Sequence, residues 1–169
     1  MKRIEGQGEG VIGAMLATSS STFSKVYIEC TQSAKFTPSG RRDMECYASG
    51  WGRTSQTPFD HTIPEDLKFT LVTPLADSEC KKKRYPKRYF DEAQMCTMGH
   101  GSNGVCNGDS GGPLTCHKTG SDPQLYGVAS FVSGYEHIKD CLTEFPNYWA
   151  DAASDHARGW ISLACNGCV

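Results

Sequence analysis

Short β-type runs recur along this chain between clusters of Gly, Pro and Ser, which is the pattern of an all-β barrel or sandwich. They predict strands over residues 26–30, 45–50, 68–74, 113–117, 124–131 and 147–150. Two stretches read as helices. One is short and basic, over 77–84; the other, over 154–164, offers Trp160, Ile161 and Leu163 for packing. Ser154 or Asp155 is placed to cap this second helix. No internal repeat or low-complexity segment breaks the pattern. The basic run Lys81-Lys82-Lys83-Arg84, with Lys87 and Arg88, sits among Asp77, Glu79, Asp91 and Glu92. That mixture fits a solvated helix face better than a docking patch for an acidic partner.

Length and charge narrow the classes. A chain of 169 residues suits one domain with a real core. A net charge of −2 and a pI near 6.2 give no field for nucleic acid or an anionic membrane. No apolar run approaches membrane-spanning length. Residues 11–17, behind Met1-Lys2-Arg3, faintly imitate a signal peptide, but Glu5, Glu9 and the intervening glycines spoil it. Nine cysteines indicate an oxidising, secreted setting and a disulfide frame. Their odd number leaves at least one thiol free or paired with another chain. A cysteine-rich chain without a clear export signal suggests that its beginning is missing. The Cys165-Asn166-Gly167-Cys168 spacing suits a zinc half-site or a redox pair, but no second pair of spare ligands exists. Neither metal nor cofactor is therefore expected.

The chemistry concentrates in Gly108-Asp109-Ser110-Gly111-Gly112-Pro113. Glycines on both sides of Ser110 free the backbone to turn sharply and let a carbonyl approach. The N–H groups of Gly108 and Ser110 are spaced to converge on a developing oxyanion, usually the largest single catalytic contribution. An incidental serine in a Gly-rich turn is the bland alternative. Six specified residues inside a cysteine frame argue against it.

Further markers follow one another in order. They are Leu16-Ala17-Thr18, Cys30, the run Cys46-Tyr47-Ala48-Ser49-Gly50-Trp51-Gly52, Leu71-Val72-Thr73-Pro74-Leu75, Met95-Cys96 and Cys106. After the serine box come Leu114-Thr115-Cys116, Gly127-Val128-Ala129-Ser130-Phe131 and a closing Trp160-Ile161. In this order they resemble the chymotrypsin/trypsin-like serine endopeptidases. The resemblance runs over roughly residues 11–163 and leaves 1–10 as an unmatched N-terminal segment. The fold implied is two six-stranded antiparallel β-barrels with the active site between them. Residues 11–169 would then be an incomplete domain: one trypsin-like barrel, the segment leading into it and a C-terminal helix.

The resemblance implies roles residue by residue. Ser110 is the nucleophile, Gly108 and Ser110 form the oxyanion hole, and Asp109 pairs with a new N-terminal amine after zymogen cleavage. Gly104 stands at the specificity-pocket position that is aspartate in trypsin-like members, so no preference for Lys or Arg is expected. Val132 and Asn147 replace the usual pocket glycines and narrow the opening, which looks elastase-like and favours small apolar residues. Ser130, Phe131 and Val132 pair with an extended substrate. The implied disulfides are Cys46–Cys116, Cys80–Cys96 and Cys106–Cys141. Cys30 matches a cysteine whose family partner is absent, leaving Cys165 or Cys168 as a substitute.

Ser110 needs a base, and that base needs an orienting carboxylate. The family's histidine lies in a Thr-Ala-Ala-His-Cys run, and no such run is present. His61, His100, His117, His137 and His156 all follow Leu16-Ala17-Thr18 and occupy stretches that read as surface loops. The aspartate position falls on Gly10, with Glu9 adjacent as a poor substitute, because side chains alternate along a strand. Arg3-Ile4-Glu5-Gly6 weakly imitates the family's activation site, with chance the favoured explanation. Two functions stay open. One is a serine endopeptidase acting on peptides or proteins, in an incomplete and inactive chain; the other is a non-catalytic homologue that binds through the cleft. Either would expose the face that normally meets the other barrel, so self-association through it is expected.

Overall fold

The computed structural model describes residues 13–17, 23–27, 44–55, 62–83, 89, 92–132, 141 and 143–164. Four strands come first: β1 (Gly13–Ala17), β2 (Phe23–Tyr27), β3 (Met44–Gly50) and β4 (Lys68–Pro74). Helix α1 (Asp77–Lys83) precedes β5 (Gln94–Gly99), β6 (Pro113–Lys118), β7 (Gln124–Val132) and β8 (Asn147–Asp151), and α2 (Asp155–Ala164) closes the series.

The strand expected over 26–30 lies earlier, at β2, and Cys30 falls outside the described residues. Two strands were not expected. Residues 13–17, inside the leader-like stretch, pair as β1 with β2. β5 escaped notice because it does not alternate: Met95, Cys96 and Thr97 are buried in succession.

β3 to β8 form a closed antiparallel barrel in the order β3-β4-β5-β8-β7-β6. Closure comes from β6 returning to β3, with Cys46 opposite Cys116. Every strand of the barrel thus has two neighbours, which leaves little open edge to aggregate. The architecture is all-β, a six-stranded antiparallel barrel with a C-terminal helix, as the resemblance implies.

Alternation on β3 sends Cys46 and Ala48 inward while Glu45 faces water. They meet Val72, Met95, Val105, Leu114, Cys116 and Trp149 in the main core. The Trp149 indole cannot leave its N–H unpartnered there, and Nε1 donates to Thr97 Oγ1 at 3.0 Å. β8 is covered on both faces. Trp149 enters the barrel, whereas Tyr148 joins Cys80 and Cys96 in a second cluster and stacks on Phe131 at 4.6 Å. The same cluster anchors α1 through the Cys80–Cys96 disulfide.

α1 carries Asp77 and Glu79 in its first turn and Lys81 to Lys83 in its last, each sign at the helix end it favours. Its three lysines are exposed, as a solvated face requires. Ser154 caps α2: its Oγ accepts from the Ala157 N–H at 3.1 Å. The packing expected of α2 is largely missing, because Ile161 is only half-buried while Trp160 and Leu163 are 66% and 86% exposed.

Candidate active site

The serine box lies in the turn that leads into β6. The Asp109 N–H donates to the Cys106 carbonyl at 3.0 Å, and the Gly112 N–H donates to the Asp109 carbonyl at 2.9 Å, closing two tight turns in succession. Gly108 has φ of +99° and Gly111 has φ of +82°, a region that L side chains rarely adopt. The two glycines bracketing the Asp-Ser pair are therefore conformational necessities. Two bonds hold the turn to β7: the Gly111 N–H donates to Ala129 O and the Ala129 N–H to Gly112 O, both at 2.8 Å. Ser110 stands exposed on the outside of this fixed turn.

Asp109 points the other way. Its Oδ1 accepts from the Gly52 N–H at 2.7 Å and its Oδ2 from the Cys106 N–H at 2.9 Å. A Cβ on Gly50 or Gly52 would collide with this carboxylate, so the Ser-Gly-Trp-Gly run makes the space that Asp109 occupies. The Arg53 N–H, bonded to Asn107 O at 2.9 Å, continues the same seam. A cavity of about 280 Å³ opens beside it, with Gly52, Asp109 and Gly104 in its wall.

Ser110 lines a separate cavity of about 180 Å³ with Ser130, Phe131, Val132 and Asn147. Ala129, part of the Gly127–Phe131 marker, also lines it, as do Val105 and Asn107, which sequence reasoning did not single out. Gly104 does not line this cavity, but it abuts Asn147: a Cβ there would lie 3.5 Å from Oδ1. Among the described residues the β6–β7 ladder ends at Val128, whereas β7 pairs with β8 as far as Val132 opposite Asn147. One edge of Ser130 and Val132 is thus off the ladder, and a register shift falls between Ala129 and Phe131.

No histidine lines either cavity among the described residues. His117 lies on β6, in the strand expected over 113–117 and not in a surface loop, stacked on Tyr47 at 6.3 Å with Nε2 3.6 Å from Glu45 Oε2. His156 lies on α2, in the helix expected over 154–164 and not in a loop, and is exposed. His100 is exposed just beyond β5. His61, His137, Glu9, Arg3-Ile4-Glu5-Gly6, Cys165 and Cys168 lie outside the described residues. Among the described residues three disulfides are formed, Cys46–Cys116, Cys80–Cys96 and Cys106–Cys141, the same pairs that the resemblance implies.

A sequence model of the Trypsin family matches residues 13–150. The chain belongs to the trypsin-like serine protease family. Among its relatives, chymotrypsin-like elastase family member 3B of Macaca mulatta is 34% identical over 63% of this chain and 41% of that protein. Proproteinase E of Bos taurus is 35% identical over 62% of this chain and 41% of that protein. The chain thus spans about two fifths of the length of the curated relatives it matches. In structure it is similar to neuropsin, a serine protease expressed in the limbic system of mouse brain. The TM-score is 0.57 at 24% identity, covering 72% of this chain and 48% of neuropsin, a likeness of fold.

Proposed function

We propose that Ser110 is the nucleophile of a secreted serine endopeptidase, with Gly108 and Ser110 N–H groups as its oxyanion hole. In that reaction Oγ bonds to the peptide carbonyl carbon and the C–N bond breaks. The hydroxyl proton passes through a base to the departing amine, and water then releases the acyl group as a carboxylic acid. One observation carries this reading: Ser110 is held exposed by a positive-φ turn and lines one cavity with Ser130, Val132 and Asn147. Ser130 to Val132 serve as the substrate-pairing strand. Gly104, Val132 and Asn147 shape a pocket with no acidic floor that accepts small side chains.

Asp109 is the partner of an N-terminal amine, and the 280 Å³ cavity at its side gives that amine a route in. Three disulfides support an extracellular setting. The substrates are peptides or proteins. Trp51, Ile63, Phe69, Trp160 and Leu163 leave large apolar side chains in water, which favours self-association.

The 169-residue chain by itself is expected to be inert as a catalyst, because it carries no Thr-Ala-Ala-His-Cys run of the kind that supplies the family's base. Losing the histidine of the subtilisin triad costs on the order of 10⁶ in turnover. The same observation favours a second reading, a non-catalytic homologue that binds through the surviving cleft. An activated ester with and without added imidazole tests both. The endopeptidase reading expects acylation of Ser110 that depends on imidazole and is lost in Ser110→Ala. No acyl group on Ser110 under either condition would leave only the binding module.

A further inference from the structure

The alternation that turns Cys46 and Ala48 into the barrel turns Glu45 and Tyr47 out of it. Glu45 lies opposite His117 on β6, and Tyr47 lies opposite Leu71 on β4. Phe69 and His117 are thus both diagonal neighbours of Tyr47, within reach of its ring. Three rings follow one another across three adjacent strands. Tyr47 is parallel to His117 with centroids 6.3 Å apart, and edge-on to Phe69 at 6.4 Å. The Glu45 carboxylate stands at the end of this row. Its Oε2 accepts from the Tyr47 hydroxyl at 3.2 Å and lies 3.6 Å from His117 Nε2, an imidazole charged only when protonated. No lysine or arginine among the described residues pairs with it. Phe69 is 74% exposed and the Glu45 side chain 64% exposed.

We propose that this outer face of β6, β3 and β4 is a docking site for an arginine side chain presented by a partner protein. Ring faces attract a cation, and an adjacent carboxylate supplies the opposite charge. Glu45 Oε1 accepts no hydrogen bond from a described residue, so it is available to a donor from outside. An apolar occupant would cover the rings but strip water from Glu45 with no cation to replace it. An acidic occupant would be repelled. A guanidinium meets both needs, because it is planar enough to lie on a ring and presents a fork of N–H groups to a carboxylate. A lysine ammonium is a compact, strongly hydrated point charge and does this less well. Lys68 and Lys118 follow Phe69 and His117 by one position in the strands, and the pleat sends their side chains away from this face. The face shares no residue with the Ser110 cavity, so the proposal stands apart from the reading of the cleft.

The test is direct binding to the intact chain. Blocked Gly-X-Gly peptides, with X as arginine, lysine or citrulline, are titrated in and followed by amide chemical shifts. Citrulline keeps the planar head group and lacks the charge. The arginine peptide is expected to bind about fivefold more tightly than the citrulline peptide, the sum of one exposed cation–π contact and one surface ion pair. The shifts should centre on Glu45, Tyr47, Phe69 and His117. Glu45→Gln should bring arginine binding down to the citrulline level. Equal binding of arginine and citrulline overturns the role of charge, and tighter binding of lysine overturns the choice of a guanidinium. Shifts centred on Ser130 to Val132 would put the peptide in the cleft and overturn the location. Binding by none of the three overturns the docking site outright. The comparison on the unaltered chain decides the matter even if Glu45→Gln does not fold.

Discussion

Asp109 and Ser110 are adjacent in sequence and face opposite ways, and glycines on both sides permit that division. The carboxylate turns inward to two backbone N–H groups while the hydroxyl turns outward to a cavity. Gly52 is doubly constrained, because its N–H donates to Asp109 and a Cβ on it would collide with the same carboxylate. Gly52→Ala should therefore cost about 1–3 kcal/mol by overpacking. In an Asp109→Ala background most of that cost should vanish, a non-additivity readable from urea midpoints. Full additivity would mean that the two residues do not share this space. The serine box was legible because six residues of fixed type have few other uses. That Gly50 and Gly52 clear room for Asp109 was not legible, since the contact joins residues 57 apart. Counting from the family's pattern puts Asn147 in a pocket, but that its amide oxygen accepts from the Val105 N–H depends on a contact 42 residues apart.

Among the elements, β8 bears most of the organisation. Its first residue lines the cavity, its second fills the cluster under α1, and its third fills the barrel. The register of β8 against β5 and β7 therefore sets site and core together. The Trp149–Thr97 hydrogen bond ties β8 to β5 inside the core. Thr97→Val keeps the shape and strands the indole N–H, so chemical denaturation should show a loss of about 1–3 kcal/mol. An unchanged midpoint would show that the indole finds another acceptor. The sequence pattern marked β4 and most of β3, β6, β7 and β8, where apolar and polar residues alternate or turn residues bracket the run. It missed β5, whose consecutive buried residues leave no period of two. It also misjudged α2, where a cap and apolar residues imply packing that the described elements do not supply.

At the scale of the molecule, a closed barrel satisfies its own backbone but not its whole surface. Phe69 is 74% exposed and Trp160 66% exposed, large apolar side chains facing water on a small domain. Sedimentation velocity should therefore show dimers or larger species, and a hydrophobic dye should bind. A monomer that ignores the dye would mean that these residues form no adhesive face. The disulfides hold the barrel whatever its surface does. Cys46–Cys116 closes a separation of 70 residues and Cys80–Cys96 one of 16, so the first restricts the unfolded chain more.

The measurement that bears most directly on the account is labelling of Ser110 by a fluorophosphonate, read by mass spectrometry on the intact chain. If Ser110 has the proposed anion cradle but no base, it should remain essentially unlabelled over times that saturate an active serine protease. Rapid, stoichiometric modification of Ser110 would show that a proton acceptor already stands beside it, contradicting the account at its centre.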